Sequence, residues 1–477
     1  MSSLLWYAFL LVTGSGSTAV EIAGLRLLAP VFGSSLPVWG LAISAVIGGL
    51  AIGYSFGGKR ARRPVTASDV ARRAALGAVL FLWLPAVFAL AAAASLPAAV
   101  PISFFALLIP SVVFGMVSPL ASEVEAKRLG QSAGQVTGRV FMLTTIGSLI
   151  GIILPSFITI PLLGTRETSW LFAGAVLCLA VPFLFQKTPK QIPVLLLAAA
   201  LGAGISFIRI PHPNEVFADE TPYQFVSVRQ VGEKRHLVFD AGLGVQSVYT
   251  PTQNTGGYWD YLAQLPRLLP PQNQYRVLVL GSAASTTERQ LKTFWEGEIS
   301  FDFVSVELDG ALFAIVDKYF DPPARRQITG DARRVLNTLN ETFDIIVVDA
   351  YTRELTIPFH LATAEFFAEA GAKLKTGGIL AVNANSVSPD SLLLTSLNRA
   401  LQSAFPHTSA LHVPNSCNYL LLASRAPIPQ DENMFTPRIL GPNQFQLEDG
   451  LLLTDNRSPV ELLGLSALIT SHANACS

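Results

Sequence analysis

The chain has 477 residues, 51% hydrophobic and 14% charged, with a mean hydropathy of +0.45. A soluble domain carries roughly 25% charged residues, so this composition excludes a single water-soluble globule. Lys+Arg and Asp+Glu are 33 each, a balance that creates no basic field to gather nucleic acid. The three cysteines, Cys178, Cys417 and Cys476, are too few for a disulfide framework and show no CxxC metal spacing.

Residues 1–208 read as a transmembrane helical domain. A span needs roughly 20 mostly apolar residues, and seven stretches approach this: 4–28, 36–57, 74–95, 98–121, 136–158, 169–186 and 191–208. The first lacks a basic start and a small-residue cleavage site, so it reads as a span and not as a cleaved leader. Gly49, Gly53 and Gly57 put a smooth stripe on the second, where another helix can approach. A packing face inside the chain's own bundle is expected there, with a homodimer seam as the alternative. Gly14-Ser-Gly16 reads as a packing or kink site, because no basic residue accompanies it as in a phosphate loop. Glu21 and Arg26 are five residues apart, about 140° around a helix. They need not pair with each other, and each is expected to find a partner on another helix or at the interface.

Lys59, Arg60, Arg62, Arg63, Arg72 and Arg73 form the strongest basic cluster of this half, followed by Lys127, Arg128, Arg139, Lys187 and Lys190. The positive-inside rule places these loops and the N-terminus in the cytoplasm. Seven spans would then release the soluble half on the outside. One span more or fewer would reverse that. The expectation is a multi-pass protein of the inner (plasma) membrane with its soluble half in the cytoplasm.

Two prolines, Pro211 and Pro213, stop the last apolar run. Residues 209–260 alternate in the β manner and predict a small antiparallel sheet, with Gly232 and Gly242-Leu-Gly244 as turns. Residues 261–477 then alternate strand and helix. Strands are expected at 276–281, 303–307, 327–331, 343–349 and 378–383, and helices near 287–295, 310–319 and 361–374. Repeated βα units imply a parallel, doubly wound, Rossmann-like sheet, with ligands outside the carboxyl ends of its strands. Glu307, Asp331 and Asp349 fall at successive strand ends, after a first strand closing on Gly281. Strand-end acids often only cap helices, but three in succession point to a nucleoside. Glu307 can accept ribose hydroxyls, Asp331 is within reach of an adenine amino group, and Asp349 faces the same crevice.

These residues carry a resemblance. Glu21-Ile-Ala-Gly-Leu-Arg26, Thr145-Ile-Gly147-Ser-Leu-Ile-Gly151 and Pro161-Leu-Leu-Gly164 resemble segments of the membrane-fused spermidine synthase-like proteins. Glu220-Thr-Pro-Tyr223-Gln224 and Tyr258-Trp259-Asp260 are similar to motifs of spermidine synthase itself. The resemblance covers nearly the whole chain. It implies an α/β fold that binds S-adenosylmethionine or its decarboxylated form. Gln224, Gly281, Ser282, Glu307, Asp331 and Ala332 would hold the nucleoside. Asp349 would be the catalytic acid that takes a proton from the attacking amine, in a site walled by Tyr223, Tyr258 and Tyr351. It implies no metal and no cofactor beyond S-adenosylmethionine as substrate. The expected partners are that substrate, methylthioadenosine and the lipid bilayer; a homo-oligomer stays open.

Two departures matter. Spermidine synthases carry an aspartate in the glycine-rich loop, where Gly281-Ser282-Ala283-Ala284-Ser285-Thr286 here has Ala284. A second aspartate follows the catalytic one by three residues, where Thr352 stands here. Both losses remove anions suited to bind amine cations. The first expectation is therefore a lyase: the carboxylate of intact S-adenosylmethionine attacks its own γ-carbon, giving homoserine lactone and methylthioadenosine. Proximity favours such an attack. Aminopropyl transfer with a rebuilt amine site is the alternative, followed by methyl transfer and by a membrane nucleoside sensor or transporter. The histidines, among them His360, show no ligand spacing, and His360 reads as a packed loop residue.

Overall fold

The computed structural model describes residues 3–32, 36–92, 96–185, 189–207, 214–239, 244–351, 357–386, 388–429, 439–440, 450–460 and 462–464. It divides into two compact units, Met1–Pro211 with Glu220–Gln224, and His212–Asp219 with Phe225–Ser477. The Pro-rich turn at 208–213 and the turn glycine Gly242 lie outside the described residues.

The first unit is helical: α1 (Ser3–Phe32), α2 (Leu36–Ala61), α3 (Ala67–Leu82), α4 (Leu84–Ala92), α5 (Leu96–Gly115), α6 (Val117–Leu129), α7 (Ala133–Leu154), α8 (Ile160–Leu163), α9 (Thr165–Leu184) and α10 (Ile192–Phe207). Among the described residues, five stretches are long and apolar enough to cross a membrane: Ser3–Leu28, Val38–Ala61, Ala98–Leu129, Gly134–Leu163 and Thr165–Leu184. The pair α3 and α4, bent by 40° at Trp83, makes six if it counts as one span. The seventh expected segment forms α10, only 16 residues long, or about 24 Å at 1.5 Å per residue. Small residues set the packing. A Cβ on Gly147 would collide with the carbonyl of Leu11, and one on Gly14 with that of Thr144, so α1 and α7 touch backbone to backbone. The stripe Gly49, Gly53 and Gly57 meets Leu108, Val112 and Met116 in the same way. It is a seam inside this bundle.

The second unit opens with a four-stranded sheet, β1 (Glu215–Glu220), β2 (Phe225–Val231), β3 (Lys234–Phe239) and β4 (Ser247–Tyr249), in that order. The main domain follows: α11 (Trp259–Leu262), β5 (Gln274–Leu280), α12 (Thr286–Phe294), β6 (Ser300–Glu307), α13 (Ala311–Tyr319), β7 (Arg326–Thr329), α14 (Ala332–Thr338), β8 (Phe343–Val348), α15 (Ala364–Ala372), β9 (Leu374–Asn385), α16 (Leu392–Ala404), β10 (His407–His412), β11 (Asn418–Ser424) and β12 (Ile439–Leu440). Its sheet runs β12-β10-β11-β9-β8-β5-β6-β7. The strands from β7 to β9 are parallel, as the βα alternation predicts. β11, β10 and β12 extend the sheet antiparallel, so it is mixed and not purely parallel. No crossover helix separates β10 from β11, which leaves only a hairpin and hence an antiparallel pair.

β8 is buried along its whole length, consistent with helices on both faces. Chain order reverses between β5 and β8, so their carboxyl ends flank the crevice where α/β sheets bind ligands. Below it, Arg333 of α14 is clasped twice. Glu369 of α15 takes its Nε and one terminal nitrogen at 2.8 and 2.6 Å, and Asp455 takes both terminal nitrogens at 2.6 and 2.8 Å.

Candidate active site

β5 delivers the chain to Gly281, whose φ is +87°. A Cβ there would lie 2.5 Å from the Asp349 carbonyl, so only glycine both takes this left-handed turn and lets the two strand ends meet. The Gly281 and Ser282 amides donate to the Val306 carbonyl at 2.9 and 3.1 Å. Ala283 and Ser285 also have positive φ, 41° and 56°. Glu307, at the end of β6, fixes this loop: it accepts from Ala283 N at 2.9 Å and Asp309 N at 3.2 Å. Burial raises its carboxyl, and the two amides oppose that rise. The hydroxyls of Ser282 and Ser285, and Asp309 Oδ2, are buried with no hydrogen-bond partner. Buried polar atoms without partners are rare, and here they gather on one loop and the strand end beside it.

Asp349 leaves β8 next to this loop, its amide donating to the Leu280 carbonyl at 2.9 Å. Its carboxylate is gripped on both oxygens. Tyr258 OH donates to Oδ2 at 2.7 Å and Asn383 Nδ2 to Oδ1 at 2.9 Å. Asn418 Nδ2 in turn donates to Asn383 Oδ1 at 3.0 Å, and Tyr351 OH to the Asn383 carbonyl at 2.7 Å. Burial pushes Asp349 up to about 6 while the Asn383 and Tyr258 bonds hold it from rising further. Burial and the neighbouring carboxylate push the Tyr258 phenol well above its ordinary range, so it stays a donor. The result is a carboxylate ionised at neutral pH, with an affinity for protons that suits a base.

Asp331 caps α14, accepting from Arg334 N at 3.0 Å, and its other oxygen meets His360 Nε2 at 2.7 Å. Burial would raise this carboxyl, but the Arg334 amide and His360 outweigh it and hold Asp331 below its usual range. Ala332, the first residue of α14, is buried in the core.

The structure therefore brings Gly281, Ser282, Glu307, Tyr258, Asp349 and Tyr351 together at adjoining strand ends, with Asp331 and Ala332 at the next. Tyr223 and Gln224 fall in Glu220–Gln224, which belongs to the helical unit. There they form a turn in which the Gln224 amide donates to Thr221 Oγ1 at 3.0 Å. Thr352 lies outside the described residues. Sequence reading missed Asn383 and Asn418, and took His360 for a packing residue. It also missed Glu288, which is completely buried and raised to about 7 by that burial despite its bond to Ser305. Ala284 is 3% exposed and packs with Val226, Val228, Leu237, Leu312, Val316 and Phe320. Its methyl group fills an apolar contact between the loop, the small sheet and α13. A cavity of about 250 Å³ lies at the opposite, amino end of the parallel strands, lined by Arg267, Pro270, Gly377 and Ser424. It touches none of these groups. Among the described residues no cluster of His, Cys, Asp and Glu could hold a metal ion.

A probable polyamine aminopropyl transferase of Bifidobacterium longum is 28% identical over 288 residues, 54% of this chain and 63% of that protein. The polyamine aminopropyltransferase of Korarchaeum cryptofilum is 25% identical over 152 residues, 29% of this chain and 44% of that protein. The homologues of this chain are spermidine synthase-like. This chain thus spans less than two thirds of the length of either aminopropyltransferase. The solved probable spermidine synthase of Corynebacterium glutamicum aligns over 46% of this chain and 81% of its own, at 18% identity and a TM-score of 0.39. No family model matches the chain.

Proposed function

We propose that this chain is a membrane-anchored enzyme of the aminopropyltransferase type, acting on a sulfonium nucleoside of the S-adenosylmethionine class. The observation that carries the reading is Asp349, a buried carboxylate held by Tyr258 and Asn383 beside a glycine turn and the strand-end acid Glu307. The relatives in Bifidobacterium and Korarchaeum support the same chemistry. Glu307 takes the ribose hydroxyls, and Asp331, steadied by His360, takes the adenine amino group. The free hydroxyls of Ser282 and Ser285 serve the polar tail of the substrate. An amine attacks the γ-carbon, a C–N bond forms, and the C–S bond breaks with its electron pair on sulfur. Asp349 accepts the proton the amine sheds, and methylthioadenosine leaves.

One observation favours a second reading. Ala284 turns an apolar methyl away from the crevice, so the loop offers no carboxylate to an amine tail. Intact S-adenosylmethionine, with its own carboxylate as nucleophile, then closes to homoserine lactone, a C–O bond replacing the C–S bond with no proton moved. The experiment is to incubate the purified full chain with S-adenosylmethionine or its decarboxylated form, each with and without putrescine, and to identify products by mass spectrometry. Aminopropylated amine, formed only when amine is present, supports the transferase. Methylthioadenosine and lactone from intact S-adenosylmethionine alone support the lyase. No methylthioadenosine from either substrate overturns both.

A further inference from the structure

The helical unit has two chemically distinct ends. At one, Arg128 donates to Ser3 Oγ at 2.9 Å and to Tyr7 OH at 3.0 Å, and Arg139 reaches Tyr7 OH at 3.5 Å. The start of α1, the end of α6 and the start of α7 therefore lie together. The end of α2 joins them, because α2 and α5 run in the same direction: Gly49 meets Leu108, and Gly57 meets Met116. That brings the Lys59–Arg73 cluster to this end. Phe183, at the end of α9, packs edge-on against Trp6 and at a tilt against Phe9, with ring centroids 5.4 and 5.2 Å apart, so Lys190 follows at this end too. The other end holds Arg26 and Arg166. Arg26 lies 23 residues beyond Ser3 on one helix, about 34 Å away and hence a bilayer's hydrocarbon thickness.

The segment Glu220–Gln224 is found at that second end, within the helical unit. Arg26 donates to the Thr221 carbonyl at 2.8 Å and meets Glu220 at 3.4 Å, while the Thr165 amide donates to Glu220 Oε2 at 3.3 Å. Between Lys190 and Glu220 the chain passes along α10, whose Ala198 carbonyl accepts from Trp83 Nε1 at 3.1 Å. Although short, α10 joins the basic end to the end that holds Glu220.

We infer that the α/β unit works on the exocytoplasmic side of the membrane, with the basic end of the helical unit in the cytoplasm by the positive-inside rule. The orientation opposes the cytoplasmic placement expected from where the substrate is made, and it gives the reaction a position in a sequence of steps. A sulfonium nucleoside is a fixed cation that a hydrocarbon layer excludes. A transport step must therefore supply the substrate from the cytoplasm, and methylthioadenosine is released outside. Only the identity of the substrate rests on the function proposed above.

The test uses the full chain with two reporters fused in turn after Ser477: alkaline phosphatase, active only when exported, and a green fluorescent protein that matures only in the cytoplasm. Phosphatase activity without fluorescence is expected; fluorescence without phosphatase activity overturns the inference. Sealed right-side-out vesicles given external S-adenosylmethionine, or its decarboxylated form with putrescine, should release methylthioadenosine at the rate seen after detergent. A tenfold rise on adding detergent would overturn the inference. If no methylthioadenosine forms in either state while the phosphatase is active, the orientation stands and the proposed reaction falls.

Discussion

Asp349 is one residue with three constraints on it. The turn at Gly281 sets its backbone, Tyr258 and Asn383 set its carboxylate, and burial sets its charge. In the proposed role of base it must be ionised, so turnover should fall as pH drops through about 6, where burial has moved its titration. Asp349→Asn keeps the side-chain shape but cannot accept a proton. Turnover should fall by roughly 10²–10⁴-fold, the usual contribution of a positioned base, and the acid limb near pH 6 should disappear. Affinity for methylthioadenosine, measured by calorimetry, should stay within about twofold because Glu307 and Asp331 are untouched. Unchanged turnover would remove Asp349 from the reaction.

At the scale of elements, the loop from Gly281 to α12 joins the strand-end crevice to the core. Ala284 lies on its core side, so Ala284→Asp would bury a carboxylate among Val226, Val228 and Phe320 and would not present it to the substrate. The cost should be on the order of 3 kcal/mol. It should shrink at pH 5, where the buried acid takes up a proton, and paired melts at pH 5 and pH 8 read the difference. An unchanged melt at pH 8 would mean that the side chain faces the crevice after all. Glu288, in the first turn of α12, already carries such a burden. Its native proton affinity is raised, so the folded chain keeps a proton that the unfolded chain releases. Stability therefore falls as pH rises from about 4.5 to about 7. Glu288→Gln should flatten that fall, by roughly 3 kcal/mol at most; the same slope in both proteins would refute this.

The five parallel strands were legible because apolar runs ending on glycine or an acid are fixed locally, as in Val277–Gly281 and Phe343–Asp349. Asn383 was visible only as the end of a strand. Its amide function depends on Asp349, 34 residues away, and Asn418, 35 residues away, and no local pattern encodes either pairing. His360 and Asp331 meet across 29 residues for the same reason. The place of Ala284 was misjudged because a motif alignment gives position along the loop, whereas the left-handed turns at Ala283 and Ser285 decide which side of it a methyl group occupies.

For the whole molecule, composition announced the helical unit, but the way its helices meet depends on what is missing from their surfaces. Gly147 and Gly14 let α1 and α7 run in backbone contact, and Thr18 Oγ1 donates across the seam to the Ser148 carbonyl at 2.9 Å. In lipid, close packing and such bonds replace the hydrophobic drive between helices. Gly147→Val should push the pair apart and lower the melting temperature of the detergent-solubilised protein, while methylthioadenosine binding to folded protein stays unchanged. A melt equal to that of the parent chain would show that the seam carries little of the stability.

Arg333 also sets a timetable. Its two carboxylate partners leave the ribosome at different moments: Glu369 follows it by 36 residues and Asp455 by 122. At roughly 5–20 residues per second the second clasp arrives on the order of 10 s after Arg333 itself. Until then α14, which begins just after Asp331, is tethered on one side only. The crevice at the strand ends is thus finished late, long after the helical unit has been synthesised, and a nascent chain passes through a period in which that crevice is incomplete. Limited proteolysis of chains stalled before Gly450 and after Val460 reads this directly, since equal protection of α14 in both would mean that the second clasp is dispensable.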